Sequence, residues 1–308
     1  MREGANVSAP RALRPGPDAP VADPKSLPPL ALERDGRAEP VLDLGSEPDS
    51  RREWLTCMWG HRGLLWVLAR KDFHVRFKRA TFGVLWAVVV PVLQAAVMVV
   101  VFSNFIHTAA GVPYGAYVVS GILPWSYFAL ALPAGVTAIV EGTGLTDKVW
   151  FPRAILPLVP CVSGLAGLAI SMVLLVILTP VLGAPVGLHL LLLFPACLLL
   201  AAFTAGLALV ASALQVYFRD VRFIVSAALL IWLYATPIMY PVSQLKHLGR
   251  YLDFNPMTGV IQLFHLAVLG GGVPWERALI VSVAATLALL IVGAELQRRR
   301  DRVLVDLL

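Results

Sequence analysis

The chain has 308 residues, of which 58% are hydrophobic and only 14% charged, with a net charge of +6 and a mean hydropathy of +0.77. Soluble domains carry about 25% charged residues, and here the deficit is concentrated: residues 80–140, 154–218, 223–245, 254–275 and 278–294 contain no Asp, Glu, Lys or Arg. Several of these windows exceed the ~20 residues that cross ~30 Å of hydrocarbon as a helix, which excludes a soluble domain, and the short alternating segments of a β-barrel are absent.

Residues 1–50 contain nine prolines and almost no periodic apolar pattern, so they read as a disordered cytoplasmic tail. They have no apolar core of a cleaved secretory signal. Residues 51–82 form a second region. Within it, "RGLLWVLARKDFHVRFKR" (62–79) predicts a helix on which Trp66, Phe73 and Phe77 share a narrow stripe, with Lys71, Lys78 and Arg79 turned broadly away. Such a helix suits the cytoplasmic membrane interface, basic residues facing anionic headgroups.

Six spans are predicted within 83–297, at roughly 83–107, 115–140, 154–180, 188–214, 221–241 and 276–297. A short cytoplasmic tail, 298–308, follows. Between spans five and six, "MTGVIQLFHLAVLGGG" (257–272) is too short to cross and reads as a re-entrant or interfacial helix on the outer side. The expected fold is therefore an all-α polytopic membrane protein with an N-terminal amphipathic interface helix. Orientation follows from Lys and Arg. Segments 51–79, 141–153, 215–223 and 297–308 hold sixteen, against three (Lys246, Arg250, Arg277) in the opposite loops. The positive-inside rule then puts both termini in the cytoplasm.

The stretch "YFRDVRFI" (217–224) interrupts two uncharged runs with Arg219, Asp220 and Arg222. An Arg at mid-bilayer costs ~2.5–3.5 kcal/mol, so this turn belongs at the cytoplasmic surface. Asp220 is not needed for orientation. An ion pair with Arg219 or Arg222 is one account of it, and contact with a cytoplasmic protein is another.

The missing chemistry narrows the function. Acidic and basic side chains do not occur at mid-span, whereas ion-coupled carriers need ionisable groups there. None of the five lysines follows a glycine, so no G-x-x-x-x-G-K-[ST] phosphate loop exists. Cys57, Cys161 and Cys197 form neither a disulfide framework nor a metal spacing, and the histidines are isolated. Aromatic residues gather in "LPWSYF" (123–128) and "LIWLYATPIMYP" (230–241). They suit an interfacial belt or, alternatively, a path on which sugar rings stack.

"RFKRATFGVLWAVVVPVLQ" (76–94), "KVWFPRAILPL" (148–158), "YFRDVRFI" (217–224), "TPIMYP" (236–241) and "NPMTGVIQLFHLAVLGG" (255–271) together resemble the ABC-2-type polysaccharide and polyol-phosphate export permeases, in family order over roughly residues 55–300. The resemblance implies a transmembrane permease subunit of the bacterial cytoplasmic membrane, with no ATPase site of its own. Two copies and two separate ATPase subunits, which bind ATP and Mg, would move a lipid-linked glycan outward; no cofactor is expected in this chain. The resemblance further implies ATPase coupling through Trp66, Lys71, Phe73, Asp147, Lys148 and Arg153, and a cytoplasmic gate loop at Arg219, Asp220 and Arg222. Candidates for the lipid pyrophosphate are Arg76, Lys78 and Arg79, which ordinary anionic lipids would also suit. Candidate channel aromatics are Trp86, Tyr127, Trp232 and Tyr234. Two other readings remain: an ABC-2 exporter of a drug or small lipid, and an integral-membrane enzyme of envelope assembly. Nucleic acid is not an expected partner, since positive charge in a membrane chain sets orientation.

Overall fold

The computed structural model describes residues 51–78, 83–103, 112–142, 151–242, 249–271 and 275–305. Among these the chain is helix and turn, without a strand. Helices α1 (Arg51–Gly60) and α2 (Arg62–Phe77) meet at His61. A 3-10 turn at Gly83–Leu85 leads into α3 (Trp86–Phe102), and Gly83 has φ 52° there. That left-handed conformation favours a residue without Cβ. Then follow α4 (Tyr114–Glu141), α5 (Ile155–Val181), α6 (Leu193–Tyr217), α7 (Val221–Tyr234), α8 (Gly249–Leu252), α9 (Pro256–Leu269) and α10 (Glu276–Val305).

Four helical segments have the length and apolarity to cross a membrane: Tyr114–Glu141, Ile155–Val181, Leu188–Tyr217 and Glu276–Arg299. They make this a multi-pass membrane protein. The expected first and fifth spans are shorter. Helix α3 has 17 residues and α7 has 14, about 26 and 21 Å at 1.5 Å per residue, against ~30 Å of hydrocarbon. Helix α10 runs unbroken across the boundary expected at 297/298.

The end of α7 has a local cause. Pro237 disfavours helix in the residue before it, and residues 235–240 fold into a turn, so "TPIMYP" is not the helical end of a span. Exposed carbonyls of irregular backbone are costly in lipid unless protein groups satisfy them. Here the Tyr114 hydroxyl donates to the Met239 carbonyl at 3.0 Å, and the Tyr117 hydroxyl to those of Pro237 and Tyr240 at 2.9 and 3.0 Å. The buried His265 ring stacks on Tyr117 with centroids 4.0 Å apart. Its Nε2–H donates to the Pro237 carbonyl at 3.1 Å, which leaves Nδ1 to accept from the Ser120 hydroxyl at 2.8 Å.

Helix α9 is the short element anticipated between the last two expected spans. Asn255 caps it, its side chain accepting from Met257 N–H at 3.0 Å, with Pro256 at the first turn. Both choices suit a helix start. Gly270 ends it at φ 74°, the usual left-handed C-terminal stop. Gly259 lets α9 approach the Ala278 carbonyl of α10, leaving no room for a Cβ. Beside it, the Ser282 hydroxyl donates to the Pro256 carbonyl.

The core gathers on α4, whose residues from Ala116 to Phe128 are buried almost without interruption. Phe128 packs edge-on against Trp125 and Trp232, at 5.4 and 5.5 Å between centroids, and lies 5.8 Å from Phe203 of α6.

The inward face of α2 differs from the expected stripe. Leu64, Leu65 and Leu68 pack on Ile139, Phe151, Ile155 and Leu156, and Ala69 is buried, while Trp66 is 66% exposed. The inward side is turned by roughly one residue step, ~100°. Hydrophobic periodicity missed it because Asp72 and Arg76 also sit on that side, neutralising each other.

Candidate functional site

Between the end of α2, the start of α3 and the middles of α4 and α5 lies a cavity of about 330 Å³. Its walls are mainly apolar and aromatic: Trp86, Val90 and Pro91 from α3, Tyr127 and Leu130 from α4, and Leu168 from α5, with the hydroxyls of Ser126 and Ser171 among them. Among the described residues one cationic group reaches it, Arg76 of α2. The structure thus gathers three sequence-selected residues, Arg76, Trp86 and Tyr127, which the sequence reading had divided between phosphate binding and aromatic lining.

Each wall residue has a local reason for its place. Gly164 opens space for Tyr127, since a Cβ there would meet the ring at 3.0 Å. The Tyr127 hydroxyl donates to the Cys161 carbonyl at 2.9 Å, which pins the ring against α5. Arg76 is held by Asp72, one helical turn earlier, at 3.0 Å. The same Asp72 oxygen, Oδ2, accepts a 2.5 Å hydrogen bond from Ser163 of α5. Ser163 lies eight residues into α5, roughly 12 Å along its axis, so the pair sits well above the helix start. Asp72 and Ser163 were not among the sequence candidates. Asp72 was legible as an i, i+4 partner of Arg76. Ser163 carried no local signal, because only tertiary packing brings it to α2.

The other candidates do not converge on this cavity. On α2, Trp66 and Lys71 are exposed and Phe73 is half-buried. Arg153 stands in the turn before α5, its carbonyl accepting from Leu156 N–H at 3.0 Å. Lys78 is exposed. Asp147, Lys148, Arg79 and the Phe77 side chain lie outside the described residues. Trp232 is half-buried, packed on Phe128 and Phe203, with its indole N–H donating to Asn255 at 2.8 Å. Tyr234 is exposed at the end of α7.

At the turn between α6 and α7, Arg219, Asp220 and Arg222 are all exposed. Among the described residues they make no ion pair, so the internal pair considered for Asp220 is not formed. The Arg222 guanidinium instead lies 4.5 Å from the Phe223 ring centroid. The turn itself is held from below by buried Gln215. Its side chain accepts from Arg222 N–H at 2.7 Å and donates to the Arg219 carbonyl at 3.1 Å. A buried amide that satisfies one backbone donor and one acceptor fixes the loop while leaving all three charges to face outward.

Known proteins are similar in sequence to most of the chain. Over 238 residues it is 29% identical to the O-antigen export system permease protein RfbA of Myxococcus xanthus, covering 76% of this chain and 90% of that protein. It is 27% identical over 221 residues to a Klebsiella pneumoniae protein of the same name, covering 69% and 83%. It is 22% identical over 249 residues to the polysialic acid transport protein KpsM of Escherichia coli, covering 78% and 94%. The ABC-2 type transporter family matches residues 63–269, a stretch that holds α2, the cavity, the Gln215-held turn and α9, and the chain belongs to that family.

Proposed function

We propose that this chain is the transmembrane permease subunit of an ATP-driven exporter that moves a lipid-linked polysaccharide from the cytoplasmic leaflet outward across the bacterial cytoplasmic membrane. The observation that carries the reading is the cavity at the end of α2. A lipid-linked glycan combines a phosphate anion, an apolar chain and sugar rings. Arg76 can donate charge-assisted hydrogen bonds to phosphate oxygens, while Trp86, Val90, Pro91 and Leu168 offer apolar surface to chain or ring. The permease and transport names of the relatives support polysaccharide cargo over a drug or an enzymatic reaction.

Energy would come from separate ATPase subunits that bind ATP and Mg, two of them serving two copies of this chain. Both termini would be cytoplasmic. The exposed side of α2, with Trp66, Arg70, Lys71 and His74, and the outward charges of Arg219, Asp220 and Arg222 would then face the cytoplasm, where a soluble partner docks. Phe73 and Arg153 would couple α2 and the loop before α5 to that partner. The cavity opens where α2 adjoins the first membrane helices, so movement of α2 by the ATPase would act directly on its wall.

The test is export in a bacterium deleted for this gene. Surface polysaccharide, measured by blotting of intact cells, is expected to fall on deletion and return with the wild-type chain. Arg76→Gln is expected to restore it poorly at equal membrane abundance. Normal surface polysaccharide in the deletion strain, or accumulation of a non-glycan cargo, would overturn the proposal.

A further inference from the structure

We infer that Asp72 is an internal competitor for the cation of the cavity, so that an arriving phosphate group must displace it and, in doing so, releases α2 from α5. This rests on the reading of the cavity as a lipid-phosphate site and adds a way for its occupancy to be reported to the interface helix.

The inference follows from one oxygen. Asp72 Oδ2 accepts both from the Arg76 guanidinium at 3.0 Å and from the Ser163 hydroxyl at 2.5 Å. The first bond neutralises the one cationic side chain that the cavity wall has among the described residues. The second ties α2 to α5 from well inside the bundle. Phosphate and carboxylate bind guanidinium through the same planar array of N–H donors, so both cannot hold it fully. An anion that takes Arg76 leaves Asp72 without its counter-charge in a half-buried place. Such a carboxylate moves towards water, and the Ser163 bond goes with it. Below this latch, α2 is held by Leu64, Leu65 and Leu68, so its C-terminal half loosens first.

The size of the competition is modest. The pair is partly exposed, with side-chain accessibilities of 23% and 32%, and such pairs are weak in water. Removing the competitor should therefore tighten anion binding about 2–5-fold, whereas removing the guanidinium should weaken it about tenfold or more.

The experiment uses the full chain in phosphatidylcholine nanodiscs, free of anionic lipid. Farnesyl diphosphate is the probe and farnesol the phosphate-free control. Affinity is read by titration, and helix release by amide hydrogen exchange over residues 62–77. Wild type is expected to bind the diphosphate in preference to farnesol, with exchange in the C-terminal half of α2 rising on binding. Asp72→Asn keeps the shape and an acceptor for Ser163 but drops the charge, and should bind 2–5-fold tighter. Ser163→Ala leaves the charges alone. It should bind within twofold of wild type while showing fast α2 exchange without ligand.

Unchanged or weaker binding by Asp72→Asn, with Arg76→Gln impaired, would overturn the competitor role and leave the cavity reading intact. Equal binding by Arg76→Gln and wild type, no binding by wild type, or no preference over farnesol would overturn both.

Discussion

Asn255 joins three parts of the fold with a single short side chain, and its removal gives the most quantitative prediction. Its Oδ1 accepts from Met257 N–H at 3.0 Å and from the Trp232 indole at 2.8 Å; its Nδ2 donates to the Ala235 carbonyl at 3.1 Å and the Thr236 hydroxyl at 3.2 Å. Asn255→Ala removes a helix cap, for about 1 kcal/mol. It also leaves the half-buried indole N–H without its acceptor, a cost of about 1–3 kcal/mol. The bond to the exposed Ala235 carbonyl adds little, and the buried Thr236 hydroxyl still keeps its bond to the Trp232 carbonyl. The expected loss is about 2–4 kcal/mol. At ~2–4 °C per kcal/mol, the value for the larger domains, the midpoint of thermal unfolding in detergent should fall by about 4–16 °C. Asn255→Asp keeps both acceptor roles and remains a good cap, so it should lose no more than half as much. The assay is loss of the monodisperse peak on size-exclusion chromatography after heating. An Asn255→Ala midpoint within 2 °C of wild type, or Asn255→Asp as unstable as Asn255→Ala, would refute the assignment of Asn255 as the tie between the end of α7 and α9.

Tyr117→Phe should cost about 1–3 kcal/mol, since the Tyr240 carbonyl loses a buried donor while His265 still serves Pro237; the same heating assay reads it, and an unchanged midpoint would refute it. Gln215→Ala should speed amide exchange in the 219–222 turn about 5–30-fold, the equivalent of 1–2 kcal/mol, with α4 unaffected; equal exchange would mean that the turn holds itself. Gly259→Ala should prevent α9 from seating on α10 and reduce membrane abundance sharply, because the new methyl group meets the Ala278 backbone, which cannot swing aside, as well as the Ser282 hydroxyl; wild-type abundance would refute the close approach. Finally, Arg219→Cys in a cysteine-free background should react with a membrane-impermeant maleimide in inverted membrane vesicles but not in intact spheroplasts. Labelling of spheroplasts would overturn the assigned orientation.

Much of the fold was legible in the sequence because a bilayer imposes a simple rule. Long uncharged windows must be apolar helices, and such windows placed α4, α5 and α6 closely and the start of α10, which then runs on to Val305. Local chemistry likewise marked α9, where Asn255–Pro256 starts the helix and Gly270 stops it. The lengths of α3 and α7 were less legible, since apolar residues continue past the point where backbone geometry ends the helix at Ala235. The side of α2 that packs on the bundle was not legible for a related reason. Its inward side contains a carboxylate and a guanidinium, and a hydrophobic pattern assigns such groups to water unless their partners are known.

The site divides in the same way. By itself the sequence determined that this is a membrane-embedded chain without a phosphate loop, and that Arg76, Trp86 and Tyr127 are residues to watch. Only the tertiary structure decided that these three meet in one cavity, that Trp232 is engaged by Asn255 and the core, and that Gln215 holds the charged turn open. It also brought Ser163 to Asp72 across 91 positions of sequence. Composition and periodicity report each residue's relation to solvent. A contact between distant helices depends on which ridges pack together, and one sequence does not carry that information position by position.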